Sequence, residues 1–504
     1  MALRFLVLLW LAGVPAASQV LTSQYDNART GATLRETVLT PAKVRPLQFG
    51  KVFSYAVDGD VYAQPLFVPR VEIPGKGVHD VIYVATERNS VYAFDAAGQP
   101  TEPLWRVSFP NAVPARDVAC GFIAPYIGIT PTPAIDLPSG TMYVLARTKE
   151  NRGMLSSDRY VQKLHALAIT TGAEKFGGPV EVQAAGFDPL RELPRAGLLV
   201  TNGQVYLTWG SSCDVGPYHG WVIAYDTRTL AQTAAFNTSA DGEQSGIWQA
   251  DNGPAADEEG NVYLATGNGR FNAAAAGHDW GDSLLKLGLA GGVLQVRDYF
   301  TPFDEGALNR ADADLGSGGP VVLPRQLGPH PHLVLIGGKG GDLYLLDRDR
   351  LGKYQADGNR EVLRTVHFRG GIYAAPAYWN GHVYVLASND YLSDFALEKG
   401  TLSERPVAMS EKRFGNPGAT PAISANGTRD GIVWLLDTKV WNGSDRPAVL
   451  HAYDAANVAH ELYHTEMAPG RDRVGKTLRF TIPTVVNGRV YVEAKGEIDV
   501  YGLR

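Results

Sequence analysis

Two short stretches and one pair of cysteines in this 504-residue chain hold residues whose types and spacing suit chemistry. His460-Glu-Leu-Tyr-His464 spells His-Glu-x-x-His, a zinc signature when both His lie one helical turn apart. Gly267-Asn268-Gly269 separates two hydrophobic runs, and Asp279 and Asp282 close the loop that follows. The plain account of it is a turn whose Gly and Asn reach positive φ at little cost. Cys120 and Cys213 are the only cysteines, and no Cys-x-x-Cys pair exists to hold a c-type haem covalently or to build a four-Cys zinc site. What each stretch can do depends on the element that carries it.

Composition narrows the classes. With 45% hydrophobic and 19% charged residues the chain builds a large core, and a formal charge of −6 gives no reason to expect nucleic acid. Met1 to Arg4, an apolar run from Phe5 to Val14 and Pro15-Ala-Ala-Ser18 fit an export signal cut after about Ser18. No Cys near that site suggests a lipoprotein anchor, and no later run reaches the ~20 apolar residues of a membrane span. A secreted or periplasmic location is therefore expected, and with it a Cys120–Cys213 disulfide.

A repeat organises the rest. The segments YAQPLFV, TPTPAID, PRAGLLV, DNGPAAD, GSGGPVV, YAAPAYW, GATPAIS and FTIPTVV place marker residues at Pro65, Pro133, Gly197, Pro254, Pro320, Pro376, Pro421 and Pro483, spaced by 45 to 68 residues. Each is followed by a second strand (VIYVAT, NVYLAT, RVYVEA), a turn, and a third (SVYAFD, WVIAYD, DLYLLD). Four short antiparallel strands at such a period predict an all-β, eight-bladed β-propeller. The final unit is one strand short, and residues 49 to 59 are expected to complete it and close the ring. This gives a signal at 1–18, a polar extension at 19–48 expected to pack across one face, and the propeller at 49–504. In this register His460 to His464 is an outer strand, which would hold the two His ~13 Å apart, too far to share a zinc.

In such a blade, the turn between the second and third strands shares one end of the ring with the lead-in to the first. The eight turn residues at that mouth are Arg88, Lys149, Asp214, Asn268, Lys339, Asp390, Lys439 and Lys495. Five are basic in a net-acidic protein, which points to an anion site.

The repeat resembles that of the pyrroloquinoline quinone (PQQ) type eight-bladed propellers, the quinoprotein alcohol dehydrogenase superfamily. AFDAAGQPTEPLW, ALAITTGAEKF, AYDTRTLAQTAAF and AYDAANVAHELY look like degenerate forms of that family's Ala-x-Asp-x-x-x-Gly...Trp docking tag, over roughly residues 49 to 503. Gly267-Asn268-Gly269 resembles the family's Gly-Asn-Gly, whose Asn is a calcium ligand. Asp314, six residues before Pro320 in blade five, matches the general base, with Asp312 as its rival. Lys339, in IGGKGGDLYLLDR, matches the basic residue that contacts the quinone oxygens. Asp214 stands near the family's calcium-binding Glu but is shorter and one place off. Trp248 falls in the segment of the family's cofactor-floor Trp but needs a small insertion to align, and the family's adjacent Cys pair is missing. Arg88, Lys149 and Lys495 supply further positive charge for the three PQQ carboxylates.

The resemblance implies PQQ and calcium as cofactors, an alcohol or sugar substrate and an external electron acceptor, with no haem in this chain. The alternative is a non-catalytic propeller that binds protein or carbohydrate, like the outer-membrane assembly lipoprotein of the same fold.

Overall fold

A computed structural model describes residues 18–151, 157–438 and 446–504. The expected signal, up to residue 17, and the turn residue Lys439 lie outside the described residues. Eight antiparallel sheets stand in a ring. Blade one is Leu66–Ile73, Gly77–Ala85, Ser90–Asp95 and Trp105–Ser108, and blade five is Val321–Val322, Leu333–Gly337, Asp342–Asp347 and Arg364–His367. The seven marker prolines each stand one residue before their innermost strand, where a missing N–H costs the ladder nothing. Apolar side chains fill the space between neighbouring sheets: Tyr206 and Val222 of blade three meet Leu264 and Leu285 of blade four.

The ring closes where the sequence pattern placed the join. Phe49–Asp60 runs antiparallel to Arg489–Leu503, with Phe53 opposite Val500. The docking tags work as steric fits. The Trp105 indole of blade one lies so close to Gly172 of blade two that a Cβ there would sit 2.8 Å from the ring, and its Nε1 donates to Ile169 O at 3.0 Å. Phe53 performs the same role against Gly98, closing blade eight onto blade one.

Glu461–His464 is a strand, and His464 lies across from His451 on its neighbour, not beside His460. His451 Nδ1 is 2.5 Å from Glu461 Oε1. The zinc signature is thus part of a cross-strand ladder.

The extension does more than cover one face. Between Val20 and Gly31 it bonds to the innermost strand region of all eight blades: Val20 with Phe67, Leu21 with Ile135, Thr22 with Leu198, Asn27 with Ala256, Ala28 with Val322, Thr30 with Tyr378, Gly31 with Ile423, and Tyr25 with Pro483. It therefore plugs the axis of the ring. Arg29 is the plug's anchor, fully buried, with its guanidinium donating to Pro254 O (2.9 Å), Ser23 O (2.6 Å), Leu198 O (3.1 Å) and Thr22 Oγ1 (2.7 Å). Burial lowers its pKa to about 10 against the pull of Asp26. Arg29→Ala leaves these acceptors without a donor and is expected to lower the unfolding free energy by about 3 kcal/mol in urea titrations. A loss below about 1 kcal/mol would mean the plug does not brace the ring. Among the described residues, no helix is long and apolar enough to cross a membrane.

Candidate functional site

Above the plug, at the mouth where lead-ins and turns converge, lies a cavity of about 770 Å³, its open side included. Blade four contributes Trp248 from its lead-in, and blade five contributes Asp314 from its lead-in and Lys339 from its turn; the Gly267-Asn268-Gly269 turn of blade four packs against Asp314 and is not itself part of the cavity lining. Asp314 is 3% exposed. Its Oδ1 accepts the Asn268 backbone N–H at 2.7 Å, its Oδ2 is ion-paired with Lys339 Nζ, and its carbonyl accepts the Lys339 N–H at 3.0 Å. These contacts hold three residues distant in sequence around one carboxylate. Burial works against the Lys339 charge, but Asp314 and then Asp312 outweigh it and hold its pKa above the usual range.

The Asn268 side chain divides its functions. Its Nδ2 donates to Asp312 Oδ1, and its Oδ1 is buried with no hydrogen-bond partner. Gly267 is needed for a reason other than turn conformation. A Cβ there would lie 2.0 Å from Asp314 Oδ1 and 2.7 Å from Trp248 Nε1. The first glycine of the motif thus clears room for the carboxylate and the indole. Trp248 rests against Gly210, where a Cβ would come within 3.0 Å of its ring, and its buried Nε1 also has no partner.

Cys120 and Cys213 form a disulfide, Cα–Cα 5.7 Å, and both line the cavity together with Trp248, Asp214, Asp314 and Lys339. The bond joins the lead-in of blade two to the turn of blade three. Asp214, next to Cys213, accepts the Tyr218 hydroxyl at 2.7 Å, and burial raises its pKa, with Tyr218 opposing and Asp314 adding to the shift. Among the described residues no three His, Cys, Asp or Glu side chains close on one metal position.

The other basic turn residues face elsewhere. Arg88 stacks on Tyr126 at 4.0 Å, and Lys149 pairs with Asp117 (2.7 Å) and Asp158 (2.8 Å). Both Tyr126 and Asp117 belong to the long lead-in of blade two, which folds over these turns, takes up their charges and presents Cys120 and Phe122 to the cavity instead. Lys495 lines a separate cleft with Arg88, Asp60 and Lys476. None of Arg88, Lys149 and Lys495, the further positive charges expected from the sequence, lines this cavity. In their place stand Arg195 and Arg479, from the lead-ins of blades three and eight, with Tyr373 and Phe480. Turn positions alone could not reveal these residues; the usable signal was a basic residue two to four places before a repeat marker.

Asp282 was visible only as a loop-closing acid. It is fully buried, its Oδ1 accepts the Leu315 N–H at 3.0 Å, and its Oδ2 has no partner. Burial pushes its pKa up to about 8, with the Leu315 bond opposing and Asp314 adding to the rise. An unfolded Asp titrates near about 4, so the folded state holds this proton over the interval between, and the stability that it confers is lost as pH rises towards 8. Asp282→Asn, which mimics the protonated form, is expected to flatten the pH dependence of stability and to be more stable than the parent at pH 8 by upwards of roughly 1 kcal/mol. Denaturation curves at pH 5 and pH 8 check this; equal slopes in both proteins would mean that Asp282 ionises freely.

No protein-family model and no curated protein matches the chain. Solved structures do. The quinohemoprotein alcohol dehydrogenase ADHIIG from Pseudomonas putida HK5 superposes with a TM-score of 0.63 at 15% identity, covering 96% of this chain and 80% of that one. A europium-containing methanol dehydrogenase gives 0.62 at 13% identity, covering 96% and 98%. BamB from Moraxella catarrhalis gives 0.52 at 14%, covering 90% and 97%. The fold is that of the PQQ-type eight-bladed propellers. At these identities the likeness speaks for architecture alone. The ADHIIG structure is a quinohaemoprotein by name, and this chain has no Cys-x-x-Cys pair to hold a haem covalently.

Proposed function

We propose that this PQQ-type propeller is an exported dehydrogenase that binds PQQ and calcium, oxidises an alcohol or sugar hydroxyl, and passes electrons to a separate acceptor. The observation that carries the reading is a single cavity that gathers Trp248, the Cys120–Cys213 disulfide, Asp314 and Lys339 from four blades and is kept open by Gly267. The residues fit the cofactor: an indole and a disulfide can flank a flat ring, Lys339 can meet quinone oxygens, and the unpartnered Asn268 Oδ1 with the Asp214 carboxylate offers hard oxygen donors of the kind calcium prefers. When bound, the quinone and its calcium supply a two-electron acceptor polarised by a Lewis acid.

The protein's part is positioning and proton handling. Asp314, held by Asn268 and Lys339, would take the proton of the substrate hydroxyl, and the hydride from the carbon bearing that hydroxyl would go to the bound two-electron acceptor. Asp312 is the less suited base, since its side chain is 68% exposed and does not line the cavity. The plug closes the axis below, so substrate and acceptor reach the site from the mouth. Export agrees with the disulfide.

Purified protein given PQQ and calcium is expected to reduce an artificial dye with simple alcohols or sugars. PQQ binding without dye reduction across such a panel would favour a non-catalytic binding propeller. Asn268→Ala is expected to abolish calcium-dependent PQQ binding in equilibrium titrations while leaving the unfolding free energy within about 1 kcal/mol of the parent. Unchanged calcium dependence would remove Asn268 from the ligand set.

A further inference from the structure

We propose that Asp251, Glu493 and Gln24 form a calcium site on the axis of the ring, between the plug and the cavity. It is separate from the donors around Asn268 and requires neither PQQ nor redox chemistry.

The plug links these residues. The Gln24 backbone N–H donates to Gln64 Oε1 at 2.8 Å and its Nε2 to Asp251 O at 3.3 Å, while Gln24 Oε1 is buried and, among the described residues, has no hydrogen-bond partner. Asp251 belongs to the lead-in of blade four and follows Ala250, which lines the cavity. Its Oδ2 accepts the Thr420 hydroxyl at 3.3 Å, and its Oδ1 is buried and likewise unpartnered. Glu493 stands on blade eight, opposite blade four in the ring, and is fully buried. Among the described residues neither of its carboxylate oxygens has a hydrogen-bond partner. The Asp251 charge reaches Glu493, and the Glu493 charge reaches Tyr25, the plug residue next to Gln24.

The chemistry of these oxygens selects the ligand. Two carboxylates withdrawn from water are costly unless a cation or protons neutralise them. Burial holds the Glu493 carboxyl well above the usual carboxylate range; the N–H groups of Glu493 and Ile482 oppose the rise without meeting its oxygens in hydrogen-bond geometry, and Asp251 adds to it. Burial likewise raises Asp251, and Arg195, its basic neighbour, opposes that shift but leaves Oδ1 unpartnered. A divalent cation would relieve both acids at once. Calcium takes about six to eight oxygen ligands and mixes carboxylates with amide carbonyls and water in a flexible shell, whereas magnesium demands a near-ideal octahedron. Asp251 Oδ1, the two Glu493 oxygens and Gln24 Oε1 are all donors of the calcium kind. Two acids alone make a poor site, so the amide oxygen of the plug completes the set, and the ion would fasten the plug to blades four and eight.

The test uses the full mature protein carrying Asn268→Ala, which removes the calcium donor proposed for the cavity, and follows urea unfolding and refolding in EDTA or in calcium without PQQ. Unfolding opens the site, so burial does not limit access. Calcium is expected to raise the urea midpoint by an amount that grows with the logarithm of its concentration. Adding Glu493→Gln, which keeps the shape of the acid but not its charge, is expected to weaken the apparent calcium affinity at least about tenfold and so to remove most of that rise. No rise in Asn268→Ala, or an equal rise with and without Glu493→Gln, overturns the proposal and leaves protons to neutralise the two acids. Should the double variant fail to fold, crystals of Asn268→Ala grown in calcium decide: the proposal predicts an ion within about 2.6 Å of Asp251 Oδ1 and of a Glu493 carboxylate oxygen, and an axis without one at saturating calcium overturns it. Neither experiment contains PQQ or measures turnover, so failure of the dehydrogenase reading leaves this result standing, and dye-linked turnover without the calcium-dependent rise removes only the axial site.

Discussion

Asp314→Asn is expected to lower dye-linked turnover about a thousandfold while PQQ affinity stays within about threefold, because the amide keeps the carboxylate's shape but cannot take a proton. The Asn side chain still offers an oxygen to the Asn268 N–H, and Asp312 still faces Lys339, so the local scaffold survives. Steady-state kinetics and equilibrium PQQ titration on the same preparation separate the two effects. Asp312→Asn, at an exposed carboxylate outside the cavity lining, is expected to cost far less. A large loss in Asp312→Asn with little in Asp314→Asn would move the base two residues upstream.

Gly267→Ala is expected to reduce turnover at least a hundredfold and to weaken PQQ binding, although it adds one methyl group. That methyl would sit 2.0 Å from Asp314 Oδ1 and 2.7 Å from Trp248 Nε1, so the carboxylate, the indole or both must shift. Displacements near 1 Å at a reacting group cost about a hundredfold in rate. The substitution lies at the mouth, away from the interfaces between sheets, so circular dichroism should still report an all-β protein. Full activity in Gly267→Ala would mean that the Gly-Asn-Gly turn serves only its own backbone conformation, and the site as described would lose its geometric basis.

The sequence made the ring legible because each blade repeats the same local grammar. A proline ahead of the innermost strand has a physical reason that recurs, and the alternation in residues 49 to 59 marked a strand in need of a partner. Asn268, Asp314 and Lys339 could be read because each sits in a short motif whose neighbours are fixed by one turn or one lead-in. The cavity's other residues depend on how irregular segments fold over the mouth. Nothing in the order of residues announces that Tyr126 and Asp117 will take up Arg88 and Lys149, or that Arg195 and Arg479 will line the cavity instead. The plug was equally hidden, since between Val20 and Gly31 it binds largely through backbone groups, which leave no pattern in side-chain polarity. His460 and His464 show the converse: a motif that is exact in sequence has no meaning when its second His lies on a strand and its first in the bend before it.

A crystal structure of the protein equilibrated with PQQ and calcium tests the central claim most directly. The account predicts the quinone ring in van der Waals contact, about 4 Å or less, with the Trp248 indole on one face and the Cys120–Cys213 disulfide on the other. It also predicts a calcium ion within about 2.6 Å of Asn268 Oδ1. A cavity without quinone at saturating PQQ, or a quinone bound elsewhere while Asn268 Oδ1 contacts only protein, would contradict it.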